Sequence, residues 1–344
     1  MKHFKNRSNL PKLKDNATHA RAHSAYWFGS NDPRDSPNKG LISAIISAFA
    51  FAAIVSGGHA FASEDDLSHY PNGVNTIVNG ILPAPGSVQF YNYSEYYEAD
   101  ELDGSHGQSI VPNFHAKIAV DAPRLVYTWP GQLGPFHVSS GLLTTVADIK
   151  LTAGPESGEI SGFTDLIVEP FYLSYARPDH KFFAYIGPDI WLPTGSYSKT
   201  RLTNLGNNYY TIGMGLHMTY LPTKDTEFDA SIVPEFNSTN RATDYKSGDS
   251  VNIDVAAHFR PFANSLPHLR IAFQGYVHKQ YQDDTVNNAQ YLNGNKGQEV
   301  GLGPQLEYDI GNKGGILFKY DQEFAVQNRP KGHRIWFEFS APIK

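Results

Sequence analysis

The sequence predicts an all-β fold, a closed antiparallel transmembrane β-barrel. The number of alternating segments predicts twelve strands. Two observations support this prediction: long stretches in which apolar and polar side chains alternate, and connections that alternate between short turns and long polar loops. A period of two places unlike residues on the two faces of an extended strand. A barrel built from such strands turns its apolar face to lipid and its polar face to the lumen.

The alternation is clearest in residues 226–262. Val251, Ile253 and Val255 fall on one face of a strand in this stretch, whereas Asn252 and Asp254 fall on the other. Each of its two alternating runs is about eleven residues long, which is what a tilted strand needs to cross a bilayer. One face carries full charges and the other none, the contrast expected between a lumen and lipid.

Residues 1–62 are predicted to be a signal peptide. Residues 1–40 are basic and polar, residues 41–55 are uncharged and apolar, and Ala60-Phe61-Ala62 fits the small-residue rule for cleavage. The basic region is unusually long, which leaves two interpretations: an extended signal, or translation that starts downstream of Met1. The alternative to cleavage after Ala62 is an uncleaved membrane anchor.

Residues 63–86 form a lead-in to the barrel. Val74, Ile77, Val78 and Ile81 are spaced like one apolar face of a short helix, and the segment either plugs the lumen or covers the periplasmic mouth. Residues 87–344 are predicted to form the barrel itself. The predicted strands are 87–98, 114–129, 135–149, 161–176, 181–192, 208–221, 226–237, 250–262, 269–280, 299–310, 315–323 and 333–343.

The connections between these strands favour an outer-membrane barrel. Those after the second, fourth, sixth, eighth and tenth strands are short, and the long polar ones include 100–113, 193–207, 238–249 and 281–298. Outer-membrane barrels have short periplasmic turns and longer external loops. Five prolines count against the assignment, because proline removes a ladder hydrogen bond and would require bulges. They are Pro123, Pro170, Pro188, Pro234 and Pro304.

Composition and motifs exclude several classes of function. Eight of the 28 Lys/Arg and three of the 34 Asp/Glu precede residue 63, so the remainder carries a charge near −11 and has no basic stripe. Nucleic acid is therefore not an expected partner. The chain has no cysteine, and no nucleophile elbow, Walker loop or His-Glu-x-x-His motif occurs. We expect no enzyme activity, no cofactor and no metal site.

Six segments resemble a known family. They are residues 69–73 (HYPNG), 192–197 (LPTGSY), 204–209 (NLGNNY), 243–249 (TDYKSGD), 303–306 (GPQL) and 327–332 (QNRPKG). In this order they are similar to the phenol meta-pathway degradation (MetA-type) transporter family of bacterial outer-membrane proteins. The resemblance implies a β-barrel in the outer membrane of a Gram-negative bacterium, linked to uptake of aromatic or other hydrophobic compounds. It names no catalytic or binding residues.

The predicted lumen face carries charges of both signs. The candidate lumen-lining residues are Asp189, Trp191, Glu235, Asp254, His258, Arg260, Arg270, His278, Lys319, Arg334 and Glu338. Opposite charges on neighbouring strands either pair and fill the barrel or form the wall of a polar channel. We expect a channel or transporter for small hydrophobic or aromatic compounds, with outer-membrane lipid and such solutes as partners. The alternatives are a non-conducting structural or binding barrel and, less favoured, an envelope hydrolase.

Overall fold

The computed structural model describes residues 68–311 and 314–343, and the predicted signal peptide lies outside them. The described chain forms twelve barrel strands, two of them interrupted. They are β1 (Val88–Asp103), β2 (His115–Thr128), β3 (His137–Leu143 and Val146–Ala153), β4 (Glu156–Phe163 and Leu166–Ala176), β5 (Phe182–Leu192), β6 (Thr211–Thr223), β7 (Thr226–Asn237), β8 (Ser250–Phe259), β9 (Leu269–Gln280), β10 (Gln298–Asp309), β11 (Gly315–Gln327) and β12 (Arg329–Pro342).

The sheet closes on itself. β1 pairs with both β2 and β12, so that Tyr93 lies opposite Ala122 on one side and Glu338 on the other. The two parts of β3 count as one strand because both pair with β2, Leu143 opposite Arg124 and Val146 opposite Asp121. The predicted fold, a closed antiparallel barrel of twelve strands, is confirmed.

The outer surface of the barrel carries many exposed apolar side chains. On β8 and β9, Val255 and Phe273 point outward and are 46% and 65% exposed, whereas Asp254 and Gln274 are buried inside. A belt of exposed apolar side chains around a polar interior is the arrangement of a barrel that spans a membrane. No helix in residues 68–311 or 314–343 is long and apolar enough to span a membrane.

The connections differ from the prediction at two places. The short connections lie at one end of the barrel, the turn end, and residues 104–114, 193–210, 238–249 and 281–297 lie at the other, the loop end. However, β3 joins β4 through Gly154 and Pro155, and β11 joins β12 through Asn328 alone. These loops are short because the strands continue further than predicted. The added parts of β3 and β4 carry polar outward residues, such as Lys150 and Glu159, which resemble loop residues in the sequence.

All five prolines that argued against the barrel lie in its strands. Pro170 lies where the register between β4 and β5 shifts, as a bulge requires. Pro123 lies beside the interruption of β3, where its carbonyl accepts from Thr144 N at 3.2 Å. Pro188 lies opposite the same shift on β5 but pairs regularly with Met214 on its other side, and Pro234 and Pro304 lie in regular register opposite Val251 and Phe273.

Candidate functional site

Residues 68–82, here called the inner segment, lie inside the barrel. They form bends and turns rather than the short helix suggested by their apolar spacing. His69 lies near the loop end, where Thr211 Oγ1 is 2.7 Å from its Nδ1, and Gly80 lies nearer the turn end, where its N–H donates to Thr219 Oγ1 at 2.8 Å. The segment therefore runs along the lumen before it joins β1 at the turn end.

Carboxylates of the barrel hold the backbone of the inner segment. Five N–H groups donate to them: Asn75 N, described below, and Tyr70 N to Glu235 (2.8 Å), Gly73 N to Asp254 (2.9 Å), Val78 N to Glu227 (2.8 Å) and Asn79 N to Asp229 (2.9 Å). Hydrogen bonds to ionised acceptors are about twice as strong as neutral ones. These bonds replace the helical ladder that the segment lacks.

Asp254 and Lys319 make several contacts each with the segment. Asp254 also accepts from the Tyr70 hydroxyl at 2.5 Å and from Asn75 N at 3.0 Å. Lys319 Nζ donates to the carbonyl oxygen of Val74 at 3.3 Å and forms an ion pair with Glu338 at 2.7 Å. Both charged side chains are fully buried. Each contacts several polar groups, as buried charge requires.

Further ion pairs fill the space beside the segment. His258 lies between Asp229 and Glu307, with nitrogen to oxygen distances of 3.0 and 2.5 Å. Arg270 bridges Glu307, at 2.9 Å, and Glu227. The inward faces of β6 to β11, which carry these groups, are called the polar wall. It is a connected network rather than a set of isolated charges.

Ten of the eleven candidate lumen residues have inward contacts, and Arg260 differs from them. Asp189 accepts from the Tyr172 hydroxyl, Trp191 packs 5.8 Å from the His69 ring, and His278 is 2.6 Å from Asn252 Oδ1. Arg334 is paired with Glu95, Glu299 and Glu323 at 2.7, 3.2 and 3.1 Å. The others, Glu235, Asp254, His258, Arg270, Lys319 and Glu338, are described above.

Arg260 lies at the turn end instead of on an inward strand position. Its Nη1 donates to the carbonyl oxygen of Pro267 at 3.1 Å, and its Nη2 is 3.6 Å from Asp309. β8 was predicted to continue to residue 262 but ends at Phe259. The physical reason is Pro261, which has no N–H to continue the ladder.

Sequence reasoning missed the opposite side of the interior. The inward faces of β2 to β4, here called the apolar wall, carry aliphatic side chains: Ile118, Val120 and Ala122 on β2, Ala147 and Ile149 on β3, and Ile167 on β4. Their outward neighbours include Lys117, Asp121 and Lys150. Toward the loop end, these strands therefore turn their apolar face inward and their charged face outward, the reverse of the usual arrangement. The charged residues at alternate positions of the sequence were the signal for this reversal.

A cavity of about 280 Å³ lies between the apolar wall and the inner segment, on the loop side. A second cavity of about 90 Å³ lies on the turn side. Five residues border both cavities and form the constriction between them: Val74, Asn75, Tyr93, Arg124 and Tyr185. The two cavities together follow the inner segment along the barrel.

Arg124 is fixed within the constriction. Its Nε lies 2.7 Å from Glu169 and its Nη1 donates to the Tyr93 hydroxyl at 3.2 Å. Its guanidinium carbon lies 5.8 Å from the centre of the Tyr172 ring, within cation–π range. The second carboxylate oxygen of Glu169 is buried and has no hydrogen-bond partner among the described residues. Glu169 also lines the loop-side cavity, although this oxygen is covered.

Two groups of side chains have spacing that a metal ion could use: Glu98, Asp100 and His115, and Glu227, Asp229 and His258. In the first, Lys117 lies 3.2 Å from Glu98, and in the second Arg270 contacts Glu227. A positive side chain competes with a metal ion for the same carboxylate. Neither group is assigned as a metal centre.

A closed twelve-stranded barrel, apolar outside and charged inside, defines an outer-membrane β-barrel protein of a bacterium. The chain belongs to the family described as "Putative MetA-pathway of phenol degradation", whose profile matches residues 99–339. Among curated proteins, no sequence match was found.

The chain aligns with solved structures at different levels of similarity. An outer membrane channel from Pseudomonas putida F1 aligns with a TM-score of 0.68 at 15% identity, over 78% of this chain and 98% of that one. The β domain of the Bordetella autotransporter BrkA gives 0.40 at 12% identity, covering 75% and 99% of the two chains. The NanC porin gives 0.39 at 11%, covering 74% and 99%. The first of these likenesses supports the fold, and the other two are too distant to add to it.

Proposed function

We propose that this protein is an outer-membrane channel that passes small hydrophobic or aromatic compounds along the apolar wall. The observation that carries the proposal is the pair of adjoining cavities beside the inner segment. Charges and hydrogen bonds occupy the polar wall, so the apolar wall is the surface left for solutes. The family description, which refers to phenol degradation, supports the same class of compound.

The loop-side cavity suits an aromatic compound of one or two fused rings. Its volume is about 280 Å³, and a dry engineered cavity of ~150 Å³ in another protein is large enough to bind benzene. Ile118, Ile149 and Ile167 supply apolar contact, and Arg124 and Glu169 are the charged residues of the lining nearest the constriction. Ligand sites commonly combine an apolar lining with a few placed polar groups. The turn-side cavity is smaller, so passage requires the constriction to widen.

Uptake of radiolabelled naphthalene by cells with a lipopolysaccharide outer leaflet tests the proposal. Cells that carry the wild-type barrel should take up naphthalene faster than cells that lack it. Ile149→Asp should slow uptake, because it places a charge on the apolar wall. Asp148→Asn is the matched control, since Asp148 lies on the outward face of the same strand. Wild-type cells no faster than cells without the barrel would refute the proposal.

A non-conducting scaffold is the second candidate, and the hydrogen-bonded inner segment favours it. Deletion of residues 68–82 separates the two in planar-bilayer recordings. If the segment only obstructs a channel, deletion should raise conductance and favour cations, because Glu227, Glu235 and Asp254 lose the donors of the inner segment and face the pore. A barrel that is silent in bilayers and in uptake, with and without the segment, would support the scaffold.

A further inference from the structure

One part of the barrel wall has an unpaired strand edge. The upper part of β4, which is the part toward the loop end (Glu156–Phe163), pairs with β3 on one side. On its other side the ladder between β4 and β5 ends at Leu166, opposite Leu192, and only the lower part of β4 takes part. Among the described strands, none pairs with the free edge of Glu156–Phe163. β5 has already ended at this level.

Residues 193–207 cover this edge, and the boundary between them and Glu156–Phe163 is here called the seam. A Cβ atom at Gly158 would lie 3.4 Å from Leu202 Cβ and 3.3 Å from Thr203 Oγ1. At Gly162 it would lie 3.0 Å from a Leu205 methyl carbon. The contacts across the seam are thus side-chain contacts rather than a ladder of backbone hydrogen bonds.

Asp165 fastens the covering residues at the base of the seam. Its carboxylate accepts from Gly195 N at 2.8 Å and from Asn207 N at 3.2 Å, and it lies 3.2 Å from His69 Nε2. The adjacent Leu166 N–H donates to Thr194 Oγ1 at 2.9 Å. Separation of the seam above this point would break no strand ladder.

The seam borders the loop-side cavity from both sides. Thr164 and Asp165 line that cavity on the strand side, and Asn204, Leu205, Gly206 and Asn207 line it on the loop side. Phe163, which points outward at the same level, is 68% exposed. Leu205 therefore places one apolar side chain on the inner side of the seam, and Phe163 places one on the outer side.

We propose that the seam is a side opening through which small apolar solutes pass between the loop-side cavity and the outer interface of the membrane. This inference rests on the proposed function and gives it a route. An opening within the hydrocarbon layer would expose unsatisfied backbone groups, which is costly. β5 has eleven residues, about the length of a strand that crosses the hydrocarbon layer, and the seam begins where β5 ends. Opening the seam therefore avoids that cost. Apolar solutes would then not have to cross the polar loops.

A disulfide across the seam tests the route. The short distance between the Gly158 Cβ position and Leu202 Cβ falls close to the range of natural disulfides, and the chain has no cysteine of its own. The variant is Gly158→Cys with Leu202→Cys. The matched control is Asp148→Cys with Ser161→Cys, a pair that faces across the β3–β4 hairpin without crossing the seam. Mass spectrometry verifies that each bond has formed.

Oxidation of the seam pair should reduce naphthalene uptake to the level of cells without the barrel, and a reductant should restore it. The control pair should stay at the wild-type rate in both states. Wild-type uptake that persists with the seam bond formed would overturn the side opening and leave the proposed function intact. A wild-type barrel that gives no uptake at all would overturn both.

A second variant works in the opposite direction. Asp165→Ala removes the acceptor that holds Gly195 and Asn207, so uptake should rise above wild type. Asp283→Ala is the control, because Asp283 pairs with Lys296 at 2.8 Å in a different external loop. Uptake by Asp165→Ala that equals that of the control would count against the seam.

Discussion

The polar wall and the apolar wall belong to one sheet but have unlike inner surfaces. On β8, Asp254 points inward and Val255 outward, whereas on β2 Val120 points inward and Asp121 outward. The outward neighbours explain the difference, because Val255 lies in the apolar belt and Asp121 lies in a charged exterior. Two-residue alternation thus defines two faces, and the medium on the outside decides which of them is polar.

The largest expected effect comes from one charge of the polar wall. Lys319→Met would leave Glu338 buried without its partner and should lower the free energy of unfolding by about 3–5 kcal/mol. Ile149→Val on the apolar wall should cost about 0.5–1.5 kcal/mol, since it removes one methylene beside a cavity. Urea unfolding in lipid vesicles measures both. Equal losses would contradict the distinction between the walls.

Two isoleucines sharpen the comparison. Ile253→Arg on β8 places a charge on the lipid face and should cost ~2–4 kcal/mol if the position is near the midplane. Ile118→Arg on β2 should cost less, because Ile118 borders a cavity and its outward neighbour Lys117 is already charged. The same refolding titration compares them. A larger loss for Ile118→Arg would show that the inverted faces are misassigned.

A hydroxyl tests how firmly the polar wall holds the inner segment. Tyr70→Phe removes the hydrogen bond to Asp254 and should cost about 1.5–3 kcal/mol, the range for bonds to charged groups. The loss should appear as faster amide exchange of Gly73 and Asn75. Tyr96→Phe is the control, because its hydroxyl bonds Glu98 at the surface. Unchanged exchange in Tyr70→Phe would mean that the segment is held by its backbone alone.

The smallest effect belongs to an exposed charge pair in the turn between β4 and β5. The Arg177 guanidinium, 2.6 and 2.7 Å from Asp179, holds the pKa of that carboxyl at about 2, below its usual range. The pair therefore stabilises the fold above pH ~4, and this contribution is lost as the pH falls through about 2.

Asp179→Asn should lack this part of the pH dependence. Unfolding midpoints at neutral pH and near pH 2 should differ slightly less in the variant than in wild type, and high salt should remove the difference. Asp225→Asn, at the next turn, is the control. A difference that salt leaves unchanged would argue against an exposed ion pair.

The sequence allowed the strands and the polar wall to be predicted because both depend on local alternation. Asp254 and Lys319 lie inside runs whose opposite face is uncharged, which pointed them inward. The apolar wall escaped prediction because Ile118 and Ile149 look like lipid-facing residues unless the outer medium is known. The sequence left the inner segment with two possible positions, the lumen or the periplasmic mouth, because its N–H groups rather than its side-chain pattern make the bonds with Glu235 and Asp254.

The inner segment also constrains the order in which the barrel assembles. It precedes β1, yet Glu235, Asp254 and Lys319 follow it by 165, 184 and 246 residues in these contacts. Until the strands that carry these residues are in place, the N–H groups of the segment have no barrel carboxylate to which they can donate. The segment therefore takes up its ordered position only with β7, β8 and β11 in place, and its contacts then tie the chain before β1 to strands far along the sequence.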